Sequence, residues 1–335
     1  MQSLVERLDG LLYFPVTPFV REAGDRAGRV DLATYREHLT SRLAYLDEGP
    51  GEPAAAGRPG PGPAAVFACC GTGEFFSLDL DEYAECVRAA AEIAAGRVPV
   101  VAGIGYGAAL GASFAAAAKE SGADGLLVMP PYLVAGGAAG LRDHYLAVAG
   151  NTDLDLIIYQ RDNVTFIPEV VADLAGVPNI VGFKDGKGDL DLMQRIVSAV
   201  RARHGEGALL YLNGLPTAEM SQLAYRGVGV PGYSSAVFCF APDIALAFYH
   251  AYRAGESALV TALLDGFYRP LVELRHKAPG YAVALVKAGV RLAGLDAGPV
   301  RPPLTEAAPE HVEALAGLVA EGRRILVEHG INPLV

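Results

Sequence analysis

Cysteine, histidine and lysine are scarce in this chain, and long apolar runs are missing. The four cysteines, Cys69, Cys70, Cys86 and Cys239, contain no CxxC pair, and the seven histidines form neither HxH nor HExxH. A zinc site built from these residues is not expected. No stretch approaches the roughly 18 uninterrupted apolar residues that a membrane-spanning helix needs. Runs of one charge are absent too. The 27 basic residues are scattered among 38 acidic ones, for a net charge of −11, which disfavours nucleic acid or an anionic membrane as partner. A small anionic substrate stays open, because a binding site is local. The first ten residues carry Glu6, Arg7 and Asp9 and no apolar leader core, so a cytoplasmic setting is the expectation.

What is present is apolar and regularly punctuated. Of 335 residues, 52% are hydrophobic, enough to bury a large core and to exclude disorder over most of the chain. Short apolar runs alternate with helical patterns: Leu11–Phe19, Ala65–Cys70, Val98–Ile104, Gly125–Met129, Leu154–Tyr159, Ile180–Phe183, Ala208–Leu212 and Val228–Gly232 read as strands. Each is followed by a stretch of helical spacing, the last running from Asp243 to Arg253. Unalternated strands between amphipathic helices imply a parallel sheet covered on its outer face. Eight such units over residues 1–255 fit an α/β (β/α)8 TIM barrel, with an open doubly wound sheet as the structural alternative. Residues 47–63, rich in Gly, Pro and Ala, read as a flexible insertion. Beyond the barrel, residues 256–335 read as a C-terminal helical extension that packs on the barrel or mediates oligomerisation.

In such a barrel the chemistry sits at the C-terminal ends of the strands. Lys184 closes an apolar strand there, whereas the other four lysines (Lys119, Lys187, Lys277 and Lys287) lie on helices or loops where a solvated ammonium is expected. Desolvation at a strand end would lower the amine's pKa and free it as a nucleophile; the alternative is an ion pair with Asp185. Tyr159 closes another strand and could move protons for such an amine, or could simply cap the core. Cys70-Gly-Thr-Gly-Glu74 follows the second strand, and Gly71, Thr72 and Gly73 could form a nest for a carboxylate, or only a tight turn that Glu74 serves. Gly103-Ile-Gly-Tyr-Gly107 lacks dinucleotide-loop spacing and reads as a turn.

Together these stretches resemble the dihydrodipicolinate synthase and N-acetylneuraminate lyase superfamily. The resemblance runs from Phe14-Pro-Val-Thr-Pro-Phe19 through Gly71-Thr-Gly-Glu-Phe-Phe-Ser77, Pro130-Pro-Tyr132, Tyr159 and Lys184 to Gly298-Pro-Val-Arg-Pro-Pro303. Within the superfamily, Gly71-Thr-Gly-Glu-Phe-Phe-Ser-Leu78, Tyr159-Gln-Arg-Asp-Asn163, Gly182-Phe-Lys-Asp-Gly-Lys-Gly-Asp189 and Asn213-Gly-Leu-Pro-Thr-Ala-Glu219, supported by Pro231-Gly-Tyr-Ser-Ser-Ala-Val-Phe238, are similar to its decarboxylating dehydratases. The superfamily's Gly-Thr-Thr-Gly-Glu becomes Cys70-Gly-Thr-Gly-Glu, one hydroxyl short. Where some synthases carry a tyrosine lent to the neighbouring subunit, this chain has Leu133.

The resemblance implies a (β/α)8 lyase that forms a Schiff base between Lys184 and a six-carbon keto diacid, which loses water and carbon dioxide. It implies Tyr159 as proton shuttle, Gly71, Thr72 and Gly73 on the near carboxylate, and Arg161, Asn163, Ser234 and Ser235 as candidates for the far carboxylate and hydroxyls. No metal or organic cofactor is implied. The expected partners are a small sugar acid and further copies of the chain, as a tetramer or dimer. A class I aldolase or pyruvate-using synthase, a barrel that binds sugar acids without catalysis, and a metal-dependent aldolase are the competing readings.

Overall fold

The computed structural model describes residues 3–21, 28–46 and 62–333. Most of the insertion expected over 47–63 lies outside the described residues; at its end, the Gly62 N–H donates to the Tyr45 carbonyl at 3.0 Å.

Among the described residues, eight strands close into a parallel barrel in sequence order. They are β1 (Leu12–Tyr13), β2 (Ala65–Ala68), β3 (Val100–Ile104), β4 (Gly125–Val128), β5 (Asp155–Gln160), β6 (Ile180–Asp185), β7 (Leu210–Asn213) and β8 (Gly232–Ser235). A four-residue helix, α1 (Leu4–Arg7), precedes β1. The outer ring is α2 (Leu32–Leu43), α3 (Leu80–Ala94), α4 (Ala108–Glu120), α5 (Ala138–Ala149), α6 (Pro168–Leu174), α7 (Leu190–His204), α8 (Gln222–Gly227) and α9 (Pro242–Ala254). Local signals set their starts. Asp31, Asp79 and Asp189 cap α2, α3 and α7 by accepting a backbone N–H three residues on, and Pro168 and Pro242 stand at first-turn positions that need no N–H.

Two apolar layers follow from the period-2 alternation of the strands. The lumen holds Leu12, Phe14, Ala65, Phe67, Val101, Leu127, Ile157 and Leu212, closed at the bottom by Leu4 and Leu8 around α1. The alternate residues face the helices and form the larger core. Beyond the barrel lie α10 (Ser257–Leu263), a π-helical turn (Leu264–Tyr268), α11 (Arg269–Arg275), α12 (Tyr281–Leu292) and α13 (Pro309–Glu328). Their apolar faces join that same outer core.

One strand is displaced from its expected place. Val228–Gly232 does not form the last strand. The amides of Val228, Gly229 and Val230 donate back to the Tyr225 and Arg226 carbonyls, closing the end of α8, with Gly229 at φ +88°. The strand begins at Gly232 and runs to Ser235.

Candidate active site

A register shift decides where Lys184 points. Leu156 pairs with Ile180, but Ile157 pairs with Gly182, so β6 carries one extra residue at that point. Ile180 faces the outer core. Counting in twos from it would send Lys184 outward as well. The extra residue instead sets Lys184 opposite Tyr159, which points into the lumen.

There Lys184 is 4% exposed. Its Nζ lies 4.0 Å from the centre of the Phe14 ring and 4.6 Å from that of Tyr159. Among the described residues no carboxylate pairs with it. Asp185, the expected alternative partner, is occupied on the other face of the strand. It accepts from Gln160 Nε2 at 2.8 Å, from the Lys187 amide at 3.0 Å, from the Gly188 amide and from the Tyr225 hydroxyl. Burial lowers the Lys184 pKa to about 7; Cys70 raises it slightly, and Arg161 works in the same direction as burial.

The Tyr159 hydroxyl donates to the Gly214 carbonyl at 2.7 Å, and burial pushes its pKa up to about 12 against the pull of Arg161. Gly214 has to be glycine for reasons of space. A Cβ there would stand 2.6 Å from Lys184 Cε and 2.8 Å from Tyr159 Cε2.

These residues line a cavity of about 520 Å³ at the C-terminal end of the barrel. Its rim stores backbone strain. Cys69, Glu74, Tyr106, Leu133, Asp162 and Thr217 all have left-handed φ between 47° and 68°, and they sit in the loops that follow β2, β3, β4, β5 and β7. Of the seven residues expected to bind substrate, the structure brings five to the cavity wall: Gly71, Thr72, Arg161, Asn163 and Ser234.

Gly73 and Ser235 are not among them. Gly73 turns its backbone away, its carbonyl accepting from Thr17 Oγ1 at 2.7 Å. Ser235 follows the alternation: Ser234 faces the lumen, so Ser235 faces outward, where its Oγ donates to the buried Glu219 at 2.6 Å. Asn163 lines the wall, but its amide N–H groups hold the Pro131 and Val134 carbonyls at 3.0 and 2.8 Å. Arg161 is already matched by Asp162 at 2.6 Å. A Cβ on residue 71 would touch Arg161 Nη1 at 3.5 Å, so further atoms there would compete with the guanidinium for its space.

Glu74 serves the turn. It forms an ion pair with Lys287 of α12 at 2.7 Å, both side chains fully buried, and accepts the Arg301 amide at 2.9 Å. Lys287 also donates to the Pro299 carbonyl at 2.7 Å and stands 4.0 Å from the centre of the Phe19 ring. The expectation of a solvated ammonium at Lys287 is therefore corrected: α12 lies against the barrel mouth, and the side chain points inward. Lys187 does sit on the surface, where it donates to the Asp162 carbonyl at 3.0 Å.

The helical extension also supplies cavity wall that strand-end reasoning does not reach. Arg275 from α11 and Ala282, Val283 and Val286 from α12 line it. Nothing in the local sequence around Arg275 separates it from a surface helix arginine. Among the described residues no cluster of three His, Cys, Asp or Glu side chains is placed to hold a metal ion.

The fold and this lysine thus define a (β/α)8 barrel whose mouth can hold a keto acid and present an amine to its carbonyl. Residues 61–321 match the dihydrodipicolinate synthetase family. A probable 5-dehydro-4-deoxyglucarate dehydratase of Streptomyces griseus is 57% identical over 320 residues, covering 96% of this chain and 93% of its own. One from Streptomyces coelicolor is 56% identical over 321 residues, covering 96% and 95%. The crystal structure of dihydrodipicolinate synthase from Bacillus clausii superposes with a TM-score of 0.79 at 26% identity, covering 95% of this chain and 98% of that one. The chain belongs to the dihydrodipicolinate synthetase family.

Proposed function

We propose that this protein is a decarboxylating dehydratase that converts 5-dehydro-4-deoxy-D-glucarate into 2,5-dioxopentanoate, water and carbon dioxide through a Schiff base on Lys184. The observation that carries the reading is the Lys184 amine itself, buried beside Tyr159 in the cavity with no counter-ion among the described residues. The dehydratases of the two Streptomyces species, alike over nearly the whole chain, support the choice of substrate.

A desolvated amine near neutrality is nucleophilic at physiological pH. It attacks the keto carbon, and loss of water leaves a protonated imine. The imine draws electrons, so a proton leaves the neighbouring carbon and an enamine forms. The enamine expels the β-hydroxyl as water. The conjugated imine then takes up the electron pair released with carbon dioxide, and hydrolysis of the imine returns Lys184. Tyr159 is the group placed to carry protons to and from the carbinolamine and the departing hydroxyl. Its high pKa keeps it a neutral phenol that can donate.

The near carboxylate fits the Gly71–Thr72 turn, whose amides and Thr72 hydroxyl donate to no protein acceptor among the described residues. Neutral donors suffice for this carboxylate, which stays beside the keto group in the product; the carboxylate lost as carbon dioxide is the far one, whose carbon is conjugated to the imine through the new double bond. Arg161 and Ser234 are the remaining polar wall. No cofactor enters this chemistry. A cytoplasmic setting and assembly into a dimer or tetramer complete the reading.

The test is incubation with 5-dehydro-4-deoxyglucarate and borohydride, followed by peptide mass spectrometry, with pyruvate in parallel. A reduced adduct on Lys184 from the sugar acid, and carbon dioxide release without borohydride, are expected. An adduct from pyruvate alone would move the protein to the aldolase or synthase branch. No adduct on Lys184 from either would overturn the Schiff-base reading.

A further inference from the structure

A keto diacid brings two negative charges into the cavity, and a buried carboxylate needs a cation or several oriented donors. The wall contains two arginines from distant parts of the chain. Arg161 is neutralised by Asp162 at 2.6 Å. Arg275, on α11, is not: its Nη1 donates to the neutral Thr217 hydroxyl at 2.8 Å and its Nη2 meets His276 Nε2 at 3.1 Å. No carboxylate is paired with it among the described residues. The guanidinium is thus held in place by Thr217 and His276 in the wall of the cavity that contains Lys184, and the buried Glu219, whose charge acts on it, forms no ion pair with it.

The placement also fits the length of the substrate. Gly214 packs on Lys184 Cε, and Thr217 is three residues further along the same loop. Their Cα atoms are therefore at most ~11 Å apart. From the imine carbon to the far carboxyl carbon of a six-carbon keto diacid is four carbon–carbon bonds, roughly 5 Å when extended. Thr217 itself adopts a left-handed φ of 55°, a backbone conformation that costs energy in a β-branched residue.

We propose that Arg275, fixed by Thr217, is the subsite for the substrate's far carboxylate and the residue that selects diacids over monoacids. This rests on the Schiff-base reading of Lys184. The C-terminal extension then completes the substrate site, in addition to covering the barrel.

Two keto acids of equal chain length isolate the far carboxylate: 2-oxoadipate carries it and 2-oxohexanoate does not. Half-saturating concentrations for borohydride trapping on Lys184 are measured for the parent, R275Q, R275K and R161Q. The parent is expected to take 2-oxoadipate at a concentration at least about 10-fold lower than 2-oxohexanoate. R275Q should erase that preference while trapping 2-oxohexanoate as the parent does, which also shows that it folds. R275K should restore part of the preference, and R161Q should retain most of it. An unchanged preference in R275Q overturns the subsite. So does equal weakening toward both acids, which would mean a structural role. A parent that forms no Lys184 adduct with either acid overturns the underlying reading instead.

Discussion

The Glu74 carboxylate and the Lys287 ammonium lie 2.7 Å apart with neither side chain exposed to solvent. The pair joins the turn after β2, where the near carboxylate is proposed to bind, to α12 of the helical extension. Arg301 reinforces the junction. Its amide reaches Glu74, and its guanidinium lies 4.1 Å from the centre of the Phe19 ring while donating to the Gly28 and Ser77 carbonyls. Removing one partner of a buried pair strands the other charge. K287M should therefore lose about 3–5 kcal/mol of stability in urea unfolding. The double variant E74Q/K287M buries no charge and should recover much of that loss. A K287M variant as stable as the parent would show that the pair is inessential.

The pH dependence of Lys184 follows from its burial. A free lysine titrates near 10.4, but this one titrates at about 7. The nucleophile is the neutral amine, so adduct formation should fall as the pH drops through 7 and level off above it. Initial rates of borohydride trapping of pyruvate between pH 5.5 and 9.5 would show the midpoint. A midpoint still climbing at pH 9.5 would mean that the amine is solvated.

Space at Gly214 gives a sharper test. A methyl group there would sit 2.6 Å from Lys184 Cε. G214A should slow adduct formation by about 100-fold, because small misplacements of a reacting group are costly. Overpacking should cost about 1–3 kcal/mol of stability. The two quantities separate: a G214A variant that unfolds less easily than expected yet forms adduct at the parent rate would contradict the crowding.

Glu219 offers a prediction in which the sign depends on pH. Its carboxyl is buried behind β8, and desolvation raises its pKa to about 7, opposed by the Ser235 hydrogen bond. An unfolded chain ionises this group near 4.3. Between these values the folded state holds the extra proton, so stability from this group falls as the pH rises, and its cost is complete above pH 7. E219Q should be nearly neutral at pH 5 and stabilising at pH 8, on the order of 1–3 kcal/mol. Thermal melts of both proteins at the two pH values test this; a difference that does not vary with pH would refute the titration.

Much of the architecture was legible because it rests on local physics. The helices expected beyond the barrel over residues 256–335 form, and Pro168 and Pro309 open α6 and α13 at first-turn positions, a start signal that needs no tertiary context. The last strand was misplaced because Val228–Gly232 is apolar enough for a strand. Its amides nevertheless close a helix end, a choice made by glycine geometry at Gly229. Ser234 and Ser235 looked equivalent as neighbours in a motif. Only the phase of the strand separates a side chain facing substrate from one facing Glu219.

The sequence by itself determined the alternation of strands and helices and the presence of a lysine and a tyrosine at strand ends, because periodicity and turn chemistry act over a few residues; that pattern also allows an open doubly wound sheet, and the pairing of β1 with β8 closes the barrel. The tertiary structure decided which face those residues take and what stands beside them. A single extra residue in β6 turns Lys184 into the lumen. Glu74 meets Lys287 across 213 positions of sequence, and α11 brings Arg275 to the cavity. The burial of Lys184 and the placing of Arg275 in the cavity wall are set by neighbours distant in sequence, and no local pattern encodes them.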